Sequence, residues 1–181
     1  PYQVQRIYAT VGRDFPVDPA TMTPEEIRKV EDKKKASSYN VKQSKIAIGS
    51  GGFIGKGLLK GTQTRYDFVP EQRTDFIFCT VGEGFGFVGS TILLLLYLFM
   101  IFRIIFIAER QRSTFSRCYA YGVASVLFFH ILINIGMTVG LVPVIGIPLP
   151  FMSYGGTALI TFTVLLFILI RLDADRQMVL R

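Results

Sequence analysis

The sequence predicts an all-α, polytopic membrane protein: three C-terminal transmembrane helices preceded by a large loop with short amphipathic helices. Three observations carry this prediction. Half of the 181 residues are hydrophobic, yet 18% are charged and the net charge is +7. The charges are segregated: Lys and Arg crowd residues 1–75, then thin out to Arg103, Arg110, Arg112, Arg117, Arg171, Arg176 and Arg181. Beyond Phe76 the apolar runs are long enough to cross a bilayer, which takes about 20 residues. The mean hydropathy of +0.42 thus averages a polar segment with a membrane segment, which excludes a single soluble domain. Pro1-Tyr2-Gln3-Val4-Gln5-Arg6 reads as the middle of something, with neither an initiator Met nor a signal-peptide pattern, so a C-terminal piece of a longer protein is expected. Cys79 and Cys118 fall near opposite ends of the first apolar run. They are too distant to pair, and they leave the redox compartment undefined.

Residues 1–75 are expected to form an extracytoplasmic loop. Pro16 and Pro19 interrupt its first part. Thr23-Pro24-Glu25-Glu26 is a helix start, with Thr at the N-cap, Pro at the first helical position and Glu three after the cap. A short helix is expected over about 24–35, solvated by Glu31, Asp32, Lys33, Lys34 and Lys35. That lysine run can attract an anionic partner or lipid, and no nucleic-acid partner is expected. A second short helix, over about 39–48, is amphipathic through Tyr39, Val41, Ile46, Ala47 and Ile48. Gly49-Ser50-Gly51-Gly52 then releases the chain from helix and lets backbone approach a ligand closely. Lys45, Lys56 and Lys60 would suit a pyrophosphate there, although the Walker pattern is missing and exposed lysines are common.

Transmembrane helices are expected over 76–108, 119–141 and 153–171. Between them lie a basic loop at 109–118 and an uncharged loop at 142–152 stiffened by Pro143, Pro148 and Pro150. A polar tail covers 172–181. Glu83 falls in the first turns of the first span, where a charge is expensive and marks a functional site or a lysine partner. His130 and Asn134 share a face of the second span, fit for a relay or for hydrogen bonding to a neighbouring helix. Small residues in Ser153-Tyr154-Gly155-Gly156 allow close packing or a re-entrant backbone. The basic loop and tail should be cytoplasmic, which puts residues 1–75 outside, since long loops are exempt from the charge rule.

The border stretch Val69-Pro70-Glu71-Gln72-Arg73-Thr74-Asp75 carries two carboxylates, Glu71 and Asp75, which share a face if the stretch is helical. A carboxylate at the mouth of a membrane helix can serve as a general base. The same residues also fit a plain cap, with Thr74 or Asp75 at the positive end of the helix. ATP is not expected at an external site; a membrane-anchored activated donor fits better. Glycosyl transfer would need a base for the acceptor hydroxyl and cations for a departing pyrophosphate.

Three motifs resemble the shape, elongation, division and sporulation (SEDS) family. They are Gln43-Ser44-Lys45-Ile46-Ala47-Ile48-Gly49-Ser50-Gly51-Gly52, then Pro70-Glu71-Gln72-Arg73-Thr74-Asp75-Phe76-Ile77-Phe78. The third runs from Asn134 through Gly140, Pro143 and Gly146 to Ser153-Tyr154-Gly155-Gly156-Thr157-Ala158. Gly61-Thr62-Gln63 after Gly55-Lys56-Gly57 is similar to the rod-shape-determining branch, and 13–38 looks like a lineage-specific insert. The resemblance implies a multi-pass enzyme of the bacterial inner (cytoplasmic) membrane, with its catalytic loop outside, that polymerises lipid II into glycan strands as undecaprenyl pyrophosphate leaves. It puts the essential aspartate at Asp75, as general base or cation ligand. Glu71, Lys45, Lys56, Ser153 and Thr74 are implied as supporting residues, and Ser50, Gly51, Gly52 and Gln43 as substrate-binding ones. No cofactor is required, and a divalent cation (Mg or Mn) can act at Asp75. Lipid II, a class B penicillin-binding protein, the elongation machinery and the bilayer are the implied partners. The sequence departs from the family at Glu83-Gly84, where two consecutive acids are common, and at Arg73, where a histidine is expected. Two rivals stand beside the enzyme. One is a lipid II flippase with Glu83, His130 and Asn134 as its polar path; the other is a non-catalytic scaffold for the penicillin-binding protein.

Overall fold

The computed structural model describes residues 24–57, 60–66, 68 and 74–178, and among them the chain is helical with no strand. Five helices follow in order: α1 (Pro24–Ser50), α2 (Thr62–Arg65), α3 (Ile77–Glu109), α4 (Thr114–Val139) and α5 (Gly156–Met178). The loop expected before residue 24, with the first part of the 13–38 insert, lies outside the described residues. Three helical stretches are long and apolar enough to cross a membrane: Ile77–Glu109, Thr114–Val139 and Gly156–Asp175.

Several boundaries differ from expectation, each for a local reason. The two short helices expected at 24–35 and 39–48 are one helix of 27 residues. No Gly or Pro stands between Pro24 and Gly49, and Ala36-Ser37-Ser38 is too mild a break to stop propagation. The second span starts at Thr114 rather than 119, behind Ser113 at the N-cap, which leaves a connection of only four residues after Glu109. The third helix starts at Gly156 and runs on through the expected tail to Met178. Nothing in Leu172-Asp173-Ala174 breaks it, and Arg171 pairs with Asp175 one turn on at 3.3 Å.

The spans alternate in direction. Arg110 and Gln111, just past α3, both bond Asp173 near the end of α5, so those ends of the bundle coincide. The central core joins Ile104 and Ala108 of α3, Ala120, Val123, Ala124 and Leu127 of α4, and Phe162 and Leu169 of α5. Alanine at three of these positions lets the helix backbones approach closely, which is how spans associate where the surrounding lipid is as apolar as leucine.

Residues 140–153 form the most unusual segment. Gly140 ends α4 in the left-handed region (φ 77°), with Leu141 N–H donating to Gly136 O at 2.7 Å and Gly140 N–H to Met137 O at 3.2 Å. This is a Schellman close. The chain then folds back between α3 and α4, where the sequence suggests only an uncharged loop stiffened by prolines. Leu149 is buried among Tyr97, Ile101 and Ile131. Ile131 precedes the end of α4 by about two turns, so the segment descends roughly 12 Å alongside that helix. A buried irregular backbone needs donors for its carbonyls. Asn134 Nδ2 supplies Ile147 O (2.7 Å), His130 Nδ1–H supplies Pro148 O (3.3 Å), and Tyr97 Oη supplies Pro150 O (2.6 Å). The prolines have no N–H to satisfy, which halves the demand at those positions. Replacing Tyr97 by Phe should lower unfolding stability by about 1–3 kcal/mol, the cost of orphaning a buried carbonyl, measured as thermal unfolding of the full-length protein in detergent.

Candidate functional site

The end of the bundle where α3 begins gathers nearly every described residue singled out from sequence, and α1 is what gathers them. A stripe of small residues on α1, Ser44 and Ala47, followed by Gly51, faces the spans and is buried. Ser44 Oγ donates to Thr138 O on α4 (2.6 Å) and lies 2.8 Å from Cys79 Sγ on α3. Ala47 packs with Phe76 and Cys79. Where Gly51 meets Gly82, a Cβ on Gly51 would stand 2.0 Å from the Gly82 carbonyl oxygen. The glycines read as a ligand cradle thus bring the loop's backbone against α3.

The predicted residues fall into two groups. The first borders the folded-back segment. Asp75 occupies a turn directly before α3. Its neighbour Phe76 takes the N-cap position without a side-chain cap bond and is 1% exposed. Asp75 O accepts from Asn134 Nδ2 at 2.9 Å, and its Oδ2 lies 3.0 Å from where a Cβ on Gly146 would sit. Lys45 runs over Gly140: its Cε and Nζ would be 2.6 and 2.8 Å from a Cβ there. That places an exposed ammonium at the C-terminal, electronegative end of α4. Ser153 Oγ accepts from Leu149 N–H at 2.7 Å and closes the segment's last turn. Gln43 is half-buried beside Ser44 on α1, and Thr74 is half-buried beside Asp75. Glu71 and Arg73 lie outside the described residues.

Glu83 organises the second group. Its side chain is fully buried. Oε1 accepts from Lys56 Nζ (3.2 Å) and Gln63 N–H (3.0 Å), and Oε2 from Thr64 N–H (2.9 Å). Gln63 and Thr64 carry early α2 amides that no helical carbonyl can reach, so Glu83 caps α2 from another element. Lys56 Nζ also donates to Ser50 Oγ (2.9 Å) and Thr62 Oγ1 (3.2 Å). Its three N–H donors are therefore engaged within the chain. Glu83 accordingly takes the lysine-partner reading, as the bond between loop and span. Thr64 and the alternate-residue spacing of Gly82, Gly84 and Gly86 were not singled out from sequence. The alternation of Gly55 and Gly57 with Gly82, Gly84 and Gly86 is the signal that pairs the two stretches. Glu83→Gln should cost about 1–3 kcal/mol of stability, because Lys56 and two α2 amides lose a charged acceptor; the unfolding midpoint reads it.

The loop between Gly49 and Gly57 is inserted into a break in α3. At Gly86 the helix leaves helical geometry (φ 65°, ψ −158°). Lys56 and Gly57 N–H donate to Glu83 O and Gly84 O at 3.1 and 2.9 Å, while Phe87 and Val88 N–H donate to Gly52 O and Phe53 O at 2.9 and 3.1 Å. The loop thus supplies the partners the helix has lost. Among the described residues no three His, Cys, Asp or Glu side chains converge on a point where a metal could sit.

Residues 22–178 match the family model described as "Cell cycle protein", of the FtsW, RodA and SpoVE proteins. The chain belongs to this SEDS family. It is 48% identical over 142 residues to the peptidoglycan glycosyltransferase MrdB of Escherichia coli strain K12, covering 78% of this chain and 38% of that protein. It is 41% identical over 138 residues to the peptidoglycan glycosyltransferase RodA of Treponema pallidum, covering 76% of this chain and 32% of the relative. The chain therefore spans about a third of the length of these relatives. Among solved structures, the rod shape determining protein RodA of Thermus thermophilus superposes with a TM-score of 0.58 at 32% identity, over 68% of this chain and 38% of that one. A peptidoglycan synthase complex chain superposes with a TM-score of 0.66 over 97% of this chain and 43% of that one, at 24% identity, which speaks for the fold. With three spanning-length helices and these relatives, this SEDS chain is part of a bacterial membrane protein.

Proposed function

We propose that the protein is a peptidoglycan glycosyltransferase that polymerises lipid II into glycan strands for cell elongation, with Asp75 as the general base. The relatives' names support the activity. The observation that carries the site is the mounting of Asp75: a carboxylate on a turn fixed by buried Phe76 and by Asn134, its oxygen against Gly146. The acceptor sugar's hydroxyl gives its proton to Asp75 as its oxygen bonds the donor's anomeric carbon. The bond from that carbon to the pyrophosphate breaks from the opposite face, with inversion, and the electron pair leaves on undecaprenyl pyrophosphate. The Lys45 ammonium borders the same segment and would offset the charge on that leaving group.

An extracytoplasmic site is supported by charge. Arg110, Arg112, Arg117 and Arg171 gather at the end of the bundle opposite Asp75, and arginine-rich ends face the cytoplasm. A divalent cation, Mg or Mn, held at Asp75 would take its other ligands from water and substrate phosphate oxygens, as such ions commonly do. Removing divalent cations with a chelator should leave activity intact if Asp75 is the base alone and abolish it if Asp75 is a cation ligand. A class B penicillin-binding protein is the proposed partner. A flippase would need free polar groups along a path, whereas Glu83, His130 and Asn134 each hold backbone or a lysine. The test is glycan-strand formation from purified lipid II by the full-length protein with its partner, with and without an intact Asp75.

A further inference from the structure

We propose that Asn134 is a positioning residue for the Asp75 carboxylate. This rests on the reading of Asp75 as the base. Asn134 is fully buried, and both N–H groups of its amide are used, one to Asp75 O at 2.9 Å and one to Ile147 O at 2.7 Å. Two carbonyl acceptors fix the amide's orientation, since only the nitrogen can donate. The remaining Oδ1 is buried with no hydrogen-bond partner among the described residues. An orphaned acceptor of this kind costs free energy that a leucine of similar volume would not. What asparagine offers in exchange is a single rigid point that ties the Asp75 turn to the folded-back segment. Gly146, next to Ile147, is the residue against which Asp75 Oδ2 lies. One side chain therefore bonds both the turn that carries the carboxylate and the segment that walls it. His130 and Tyr97 tie the same segment farther along, at Pro148 and Pro150, but neither reaches Asp75.

Losing this tie should displace the carboxylate without removing it. A misplacement of about 1 Å can cost on the order of 100-fold in rate. The experiment compares Asn134→Leu and Asn134→Asp with native in the full-length protein and its partner, on purified lipid II. Leu keeps the volume and discards the orphan; Asp keeps the shape and a polar atom but, ionised, lacks the donors. Ser44→Ala serves as control, because it also removes a buried side-chain bond to an α4 carbonyl, Thr138 O. The expected result is that both Asn134 variants lose about 100-fold in kcat with KM within about two-fold, while Ser44→Ala keeps native kcat whatever its melting temperature. The proposal is overturned if either Asn134 variant polymerises at the native rate, or if kcat in all three variants simply follows melting temperature. Asp75→Asn run in parallel separates the two readings. If it is active, the base reading fails and this proposal with it. If it is inactive while an Asn134 variant is not, the base reading stands and only the positioning role is lost.

Discussion

Asp75→Asn should reduce glycan-strand formation by about 10²–10⁴-fold, the range that a positioned general base contributes. The substitution is close to isosteric and keeps an acceptor oxygen but cannot take a proton at neutral pH. The tie between this turn and Asn134 is made by the Asp75 carbonyl, so the substitution keeps it. Phe76 stays buried in the cluster with Ala47 and Cys79 whatever stands before it. Thermal unfolding should therefore match native while turnover collapses, and binding to the penicillin-binding partner should persist. That combination also rejects a pure scaffold. Asp75→Glu is the sharper companion. Its extra methylene would move the carboxylate within the space beside Gly146, where an added Cβ would already stand 3.0 Å from Asp75 Oδ2, so an intact acid in the wrong place should lose about 100-fold. Native polymerisation by Asp75→Asn would show that the aspartate is only part of the turn before α3.

The spans were legible in the sequence because hydropathy and length suffice for them: every residue between Phe85 and Ile107 reports on the same bilayer. Asp75 was legible through motif resemblance and the polarity border, whereas its alternative role as a cap was a matter of spacing alone. What could not be read was the destination of the polar residues. Glu83 called for a cation, and several lysines were on offer; that Lys56 answers depends on a loop returning to α3. Asn134 and His130 suggested a helix–helix bond, but their acceptors are the carbonyls of Asp75, Ile147 and Pro148, which lie outside the helices. Pro143, Pro148 and Pro150 argue for stiffness equally in a surface hairpin and in a chain folded between helices, since neither needs N–H donors there. Gly51 fits a phosphate cradle and a close contact with α3 on the same ground, the missing side chain, and Gly82 is the partner that the sequence does not name.

Gly86→Ala should be among the most destabilising single methyls in the described chain. The Gly86 backbone sits at φ 65° and ψ −158°, a region that costs a residue with a side chain about 1–3 kcal/mol. A Cβ there would also stand 2.4 Å from Gly55 N, 2.8 Å from Phe53 O and 2.9 Å from Gly52 O. All three are backbone atoms of the inserted loop, so no side chain can swing aside to make room. The loop must withdraw, and with it go the four backbone bonds that join Gly52, Phe53, Lys56 and Gly57 to α3. At about 1 kcal/mol each these add roughly 4 kcal/mol, before any cost at the Glu83–Lys56 pair that the same loop carries. The alternative, in which α3 straightens and closes its own ladder, would strand the loop's carbonyls and the buried Glu83 carboxylate. Two further alanines make the comparison decisive. A Cβ on Gly84 meets nothing nearer than Gly57 O at 3.8 Å, and one on Gly122 has nothing within 4 Å. Gly84→Ala and Gly122→Ala should therefore unfold within about 1 kcal/mol of native, or higher, since alanine favours helix over glycine. Gly86→Ala should lose several kcal/mol and become open to proteolysis between Gly51 and Gly57. Equal melting of all three variants would mean that the loop does not occupy the break in α3, and the account of Glu83 as its anchor would fall with it.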